Sequence, residues 1–365
     1  MKVLQVTTHV NIGGIANYIL TLSEALKAKC VEIVVASGGG NLEDEFKSRG
    51  LSHLFLDIKT KFEFGPKVIM AIFALAKIIK EEGIDIVHAH TRVSQVAAFF
   101  ACRMTKVPYV TTCHGYFKVR SRKVFDTWGD RVIAISDAVA AHLEDDLGVE
   151  RSRVKTIYSG VDPQRFSHEY SEPEKAAIKK GLGLRDGPVI GTVGRLSQVK
   201  GQRYLVQAMA RVIDKDKNAQ CLIVGDGEER LALENLARAS GIRDSVFFIS
   251  SSIDTAKFLS IMDIFVFPSV KEGLGIALLE AMAASKACVA SDIGGIKDIV
   301  NTPSCGVLVG VGDVKAMSDA IVKLIGDKKL MKEIGQNSRI RVRENFSLDA
   351  MAGKIIDLYG EVLGA

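Results

Sequence analysis

Short apolar runs alternate with longer amphipathic stretches along almost the whole chain. Residues 3–7 form a first run of strand length, and 32–36, 53–56, 84–89, 107–112, 131–135 and 154–157 follow it. Helical patterns such as 18–29 lie between most of them. Runs that are apolar throughout, rather than alternating, predict strands buried on both faces, as in the parallel sheets of βαβ units.

The pattern pauses after Asp162-Pro163. Residues 172–180 are polar and charged, and Gly181, Gly183, Gly187 and Pro188 follow, so an interdomain connection is expected within 163–188. A second series then begins, with strand-like runs at Val189–Val193, 221–224, Val246–Ile249, Ile264–Phe267, 287–290 and 306–309. An amphipathic helix, about 348–363, ends the chain. These elements predict two doubly wound α/β domains facing across a cleft, with ligands collecting beyond the carboxyl ends of the strands.

Composition agrees with this picture. A chain of 365 residues exceeds a usual single core, and 47% hydrophobic with 25% charged residues is ordinary for globular domains. The net charge of +5 suits anionic substrates or an anionic membrane surface. No dense basic run suggests a nucleic-acid arm, so no nucleic-acid partner is expected. Six cysteines without a C-x-x-C pair read as reduced thiols of a cytoplasmic protein. The first residues read directly as a strand, with no signal peptide expected. The longest nearly uncharged apolar stretch, 68–76, is far below the ~20 residues of a transmembrane helix.

Candidate chemistry centres on residues 264–284. A buried strand ends at Phe267, Pro268 and Gly273-Leu274-Gly275 break regular structure, and Ile276 opens an Ala-, Leu- and Glu-rich helix. Backbone N–H groups at such a helix start favour an anion. Glu272 in the turn and Glu280 in the helix are acceptors for sugar or ribose hydroxyls. Read alone, Glu280 is more often a solvated helix residue. Gly194-Arg195-Leu196-Ser197-Gln198-Val199-Lys200-Gly201 follows another strand, and its two cations suit a departing diphosphate. Read alone, they are also two surface cations. Gly225 and Asp226, at a third strand end, let backbone approach a flat ligand or simply make a turn. In the first half, Gly13-Gly14 precedes a helix, and His114-Gly115 ends a strand near His88 and His90. The Gly pair lacks a full G-x-G-x-x-G, and the second strand ends in Ser37 rather than an acid, which disfavours a dinucleotide dehydrogenase. No cluster requires a metal.

Together these segments resemble the retaining glycosyltransferases of family 4, which have the GT-B fold. The resemblance covers essentially the whole chain. Its most specific part is the E-x7-E pattern from Glu272 to Glu280, followed by Gly194-Arg195 with Lys200-Gly201. The resemblance implies an acceptor-side domain, 1–165, a nucleotide-sugar domain, 166–347, and a final helix, 348–365, that packs back on the first. It implies that Arg195 and Lys200 bind the nucleotide diphosphate of a UDP- or GDP-sugar. Glu272, with the backbone of Gly273, Leu274 and Gly275, would contact the sugar, and Glu280 the ribose. Gly14 would donate near the phosphate or the acceptor, and His114 would sit beside the transferred sugar. Catalysis without a metal or other cofactor is implied as well. The family's usual Asn-Gly-Val-Asp is Ser159-Gly160-Val161-Asp162 here, which leaves the turn but not the Asn side chain.

The implied reaction is front-face transfer with retention. The leaving diphosphate takes the acceptor proton while the protein orients the reactants and stabilises departing charge. Gly13, Lys118 and Arg120 are expected on the acceptor side. Basic and aromatic residues in 59–65 and 117–123 suit a lipid-linked or oligosaccharide acceptor and peripheral contact with the inner face of the cell membrane. The resemblance leans towards lipopolysaccharide or other surface-glycan synthesis. A nucleotide-sugar epimerase of the same fold and a non-catalytic sugar-nucleotide-binding module are the alternatives. A phosphorylase would need a pyridoxal lysine, for which no local signature stands out.

Overall fold

The computed structural model describes residues 1–117, 126–252 and 254–364. The chain divides into two compact units, Met1–Ser159 with Leu348–Ala365, and Gly160–Ser347.

The first unit holds strands β1 (Lys2–Val6), β2 (Glu32–Ser37), β3 (Ser52–Phe55), β4 (Ile86–Ala89), β5 (Tyr109–Cys113), β6 (Arg131–Ala134) and β7 (Val154–Thr156). They form one sheet in the order β3-β2-β1-β4-β5-β6-β7. Every pairing is parallel, with Val3 opposite both Ile33 and Ile86. The apolar runs become strands because both faces are covered, and Val3, Leu4 and Val6 have no exposed surface. The run at 84–89 shortens to β4 because Ile84 is used elsewhere: its N–H bonds Ile79 O at 3.0 Å, closing the helix Pro66–Glu81. The terminal helix Leu348–Leu363 packs on the helix Gly14–Ala28 of this unit, with a Lys29–Asp349 ion pair at 2.7 Å.

The second unit holds β8 (Val189–Val193), β9 (Gln220–Val224), β10 (Val246–Ile249), β11 (Ile264–Phe267), β12 (Ala287–Ser291) and β13 (Val307–Val309). Their order is β10-β9-β8-β11-β12-β13, again all parallel. The polar stretch expected as connection forms a helix, Glu172–Gly181, within this unit. Ser171 and Glu174 make a reciprocal capping box there, which satisfies end groups that burial does not.

In each sheet the connections reverse direction at one point: between β1 and β4 in the first, and between β8 and β11 in the second. Loops leaving the carboxyl ends of those strands diverge and leave a crevice. All six cysteines are free thiols, buried except Cys30. Among the described residues no helix is long and apolar enough to cross a membrane.

Candidate active site

At the switch point of the second sheet two loops are tied together. The loop after β8 carries Arg195 and Lys200, and the loop after β11 carries Glu272 to Gly275. Val270 N donates to Val199 O at 2.8 Å across them. Lys200 Nζ donates to Glu272 Oε2 at 2.5 Å, and Ser269 Oγ donates to the same oxygen at 3.3 Å. Lys200 Nζ also lies 5.4 Å from the centroid of the Phe267 ring. The sequence pointed to Lys200 and Glu272 for separate roles, whereas the fold makes them one neutral pair. Arg195 supplies the uncompensated charge. Its carbonyl is pinned by Gln202 Nε2 at 2.9 Å, while its guanidinium is exposed and has no carboxylate partner among the described residues.

Backbone geometry builds the rest of this site. Gly225, at the end of β9, has φ +153°, and a Cβ there would stand 1.9 Å from Gly194 O. Only glycine lets the β9 loop close on the β8 loop, where Leu196 N bonds Asp226 O at 2.8 Å. Asp226 is itself engaged: its carboxylate accepts from Ser251 N at 2.8 Å, and bonds from the Ser251 backbone and hydroxyl hold its carboxyl below the usual range. Gly275 has φ +109° and opens the helix Ile276–Ala283 against the Phe267 ring. That helix start has no side-chain cap and no acid in its first turn, so among the described residues the Ile276 and Ala277 N–H groups have no acceptor, while Leu278 and Leu279 N bond Gly275 O. Glu280, farther along, accepts from Thr255 Oγ1 at 3.0 Å. Burial pushes its carboxyl up, opposed by Arg165 and by the Thr255 bond.

The first unit has its own cluster. Gly13 and Gly14 start the helix Gly14–Ala28 without a side-chain cap or first-turn acid. A Cβ at Gly14 would meet nothing within 4 Å, so the glycine leaves open approach to the N–H groups. Asn41 Oδ1 accepts from Ile12 N at 2.8 Å and steadies this loop. At the ends of β4 and β5, His90 Nδ1 lies 3.2 Å from His114 Nε2, and His90 Nε2 lies 2.5 Å from Gln5 Oε1. His88 bridges Tyr359 OH and Thr112 Oγ1, each at 2.6 Å. Tyr18 stands edge-on to His114 with ring centroids 4.7 Å apart. Burial lowers His88 and His114 to about 3 and His90 well below the usual imidazole value, so all three are neutral. Lys118 and Arg120 lie outside the described residues.

Sequence reasoning missed Gln5, Tyr18 and Tyr359 here, and Ser251 and Thr255 in the second unit. Gln5 did leave a signal, as a polar residue inside an apolar strand. Ser159, where the family pattern has Asn, is fully buried, and its Oγ has no hydrogen-bond partner among the described residues.

Two Rossmann-like parallel sheets, one with a cationic loop and carboxylates at its switch point, define a GT-B glycosyltransferase. Residues 12–165 match the model described as Glycosyltransferase Family 4, and residues 174–341 match Glycosyl transferases group 1. The chain belongs to glycosyltransferase family 4. It is 30% identical over 313 residues to alpha-maltose-1-phosphate synthase of Mycolicibacterium smegmatis, covering 77% of this chain and 80% of that one. It is 28% identical over 310 residues to UDP-Gal:alpha-D-GlcNAc-diphosphoundecaprenol alpha-1,3-galactosyltransferase of Escherichia coli, covering 80% and 79%. In fold it is similar to Anabaena Alr3699/HepE, solved in complex with UDP and glucose, at a TM-score of 0.89 and 20% identity, covering 99% and 100%.

Proposed function

We propose that this glycosyltransferase moves a sugar from a nucleotide diphosphate sugar to a hydroxyl acceptor, with retention and without a metal. The observation that carries the reading is the loop pair tied together at the second switch point: one loop carries an exposed Arg195 and Lys200, the other carries Glu272, paired with Lys200, and leads into an uncapped helix start. A diphosphate would take hydrogen bonds from Arg195 and draw Lys200 from Glu272, freeing that carboxylate for sugar hydroxyls. Glu280 would hold the ribose, and Gly225 and Asp226 would lie against the base. Fixed donors of this kind stabilise the departing diphosphate without reorganising as charge develops. The residues at this site that would stabilise charge are cations and N–H groups, which fits metal-independent transfer.

The acceptor reading rests on the first unit. Its Gly13-Gly14 helix start and His114 would orient the acceptor and the sugar. Exposed Phe62, Phe64, Ile69, Met70 and Phe73 stand beside Lys59 and Lys61, which have no carboxylate partner among the described residues. A groove of about 610 Å³ is lined by Phe62, Phe64 and Pro66, with Thr60, Glu63 and Lys67 as its polar members. An apolar face with a basic rim suits a lipid-linked acceptor at an anionic membrane surface, and the E. coli relative acts on a diphosphoundecaprenol-linked sugar by its name. Surface-glycan assembly, including lipopolysaccharide, is the role this supports.

The test is turnover with a panel of UDP-, GDP- and ADP-sugars. Arg195→Ala and Lys200→Ala are each expected to lower kcat by ~10² or more, and the product anomer, read by NMR, is expected to match the donor. Near-normal kcat in both variants would remove their role. Conversion of the donor to an epimer without acceptor would establish the other reading.

A further inference from the structure

We propose that His90, oriented by Gln5, fixes His114 as the neutral tautomer protonated on Nε2, so that its Nδ1 presents a bare lone pair to a sugar hydroxyl. The hydroxyl as ligand rests on the sugar-transfer reading above. The tautomer rests on the hydrogen-bond network alone.

The ordering starts at Gln5. Its Nε2 donates to Tyr359 OH at 3.4 Å, which turns its Oε1 towards His90 Nε2 at 2.5 Å. An amide oxygen can only accept, so the proton between them is on His90 Nε2. A neutral imidazole protonated there is bare at Nδ1. His114 Nε2 lies 3.2 Å from that bare nitrogen, so His114 supplies the proton. Its own Nδ1 is then bare, and no described residue bonds it. The neighbouring line runs in the same sense. Tyr359 OH, already accepting from Gln5, gives its hydrogen to His88 Nδ1, and His88 Nε2–H is given to Thr112.

No charge in the cluster disturbs this order. Gln5 and Thr112 carry none, and burial keeps the Tyr18 and Tyr359 hydroxyls protonated. Tyr18 at 79° to His114 fixes the plane of that ring. A bare nitrogen accepts a hydroxyl hydrogen and repels phosphate or carboxylate oxygens. His114 therefore reads a hydroxyl rather than an anion. His90 is a positioning residue: it reaches ligand only through His114.

The experiment is a long-range proton–nitrogen spectrum of the full chain labelled with ¹⁵N-histidine, without donor. His114 is assigned by the signals lost in His114→Ala. The expected result is one His114 tautomer, protonated at Nε2. Protonation at Nδ1, or an exchanging mixture, would overturn the proposal. His90→Phe removes the acceptor and is expected to give mixed tautomers and a kcat lowered roughly tenfold or more. His90→Asn places an amide oxygen near the lost Nδ1 and is expected to restore the single tautomer. An unchanged tautomer in His90→Phe would also overturn the proposal. Were the chain's substrate no nucleotide sugar, the spectra would stand and only the rate effect would vanish.

Discussion

At the scale of single residues, the buried histidines make the clearest prediction. His88 and His114 are lowered to about 3, and His90 further still, from the usual value near 6.5. A group whose folded pKa is depressed contributes stability above its unfolded pKa and loses it as pH falls towards the folded value. The unfolded chain takes up protons below about pH 6.5 that the folded first unit refuses. Each such histidine should add about 1.4 kcal/mol per pH unit to the slope of stability between pH 6 and pH 4. The single tryptophan, Trp128, is buried in the first unit and reports its unfolding in urea. His88→Asn should give a shallower slope than the native chain, and an equal slope would show that His88 titrates alike in both states. Spacing in the sequence singled out Glu272 and Glu280 as candidates. Partners were not legible. Lys200 and Glu272 are 72 residues apart, and His88 and Tyr359 are 271 apart, so nothing local connects them.

At the scale of elements, the strands were the most legible part, because a strand covered on both faces must be apolar throughout. Two helices were harder to read. Gly13 and Gly14 have poor helix propensity, so the pattern alone starts that helix at Tyr18 rather than at Gly14. Glu172–Gly181 has no fully buried residue, so hydrophobic periodicity says little about it. Loop closure between β8 and β9 depends on Gly225, whose missing Cβ admits the Gly194 carbonyl. Gly225→Ala should cost at least ~1–3 kcal/mol in unfolding of the second unit, because backbone at positive φ must shift against backbone. A variant that unfolds at the native urea midpoint would mean the two loops can separate freely. The same glycine at an exposed turn would cost far less.

At the scale of the whole molecule, two parallel-sheet units were legible from two series of strand-like runs. The switch points were not, since strand order is a property of pairing rather than of any run. The second sheet's order brings the ends of β8 and β11 side by side and so joins Lys200, on the loop that also carries Arg195, to Glu272 on a loop distant in sequence. The first unit carries the apolar face with Phe62, Met70 and Phe73 between 61% and 77% exposed. In flotation with vesicles of anionic lipid at low salt, the native chain should rise with the lipid. Phe62→Ser with Phe73→Ser should weaken this several-fold, and raised salt should weaken it further. A native chain that stays at the bottom would remove the membrane proposal while leaving sugar transfer untouched. The most direct test of the central claim is calorimetric titration of the native chain and of Arg195→Ala with UDP-, GDP- and ADP-sugars. The account predicts that at least one donor binds the native chain saturably and binds Arg195→Ala at least roughly tenfold more weakly, as loss of a charge-assisted phosphate contact requires. Equal affinity of both chains for that donor, or no binding by any of the three, would contradict it.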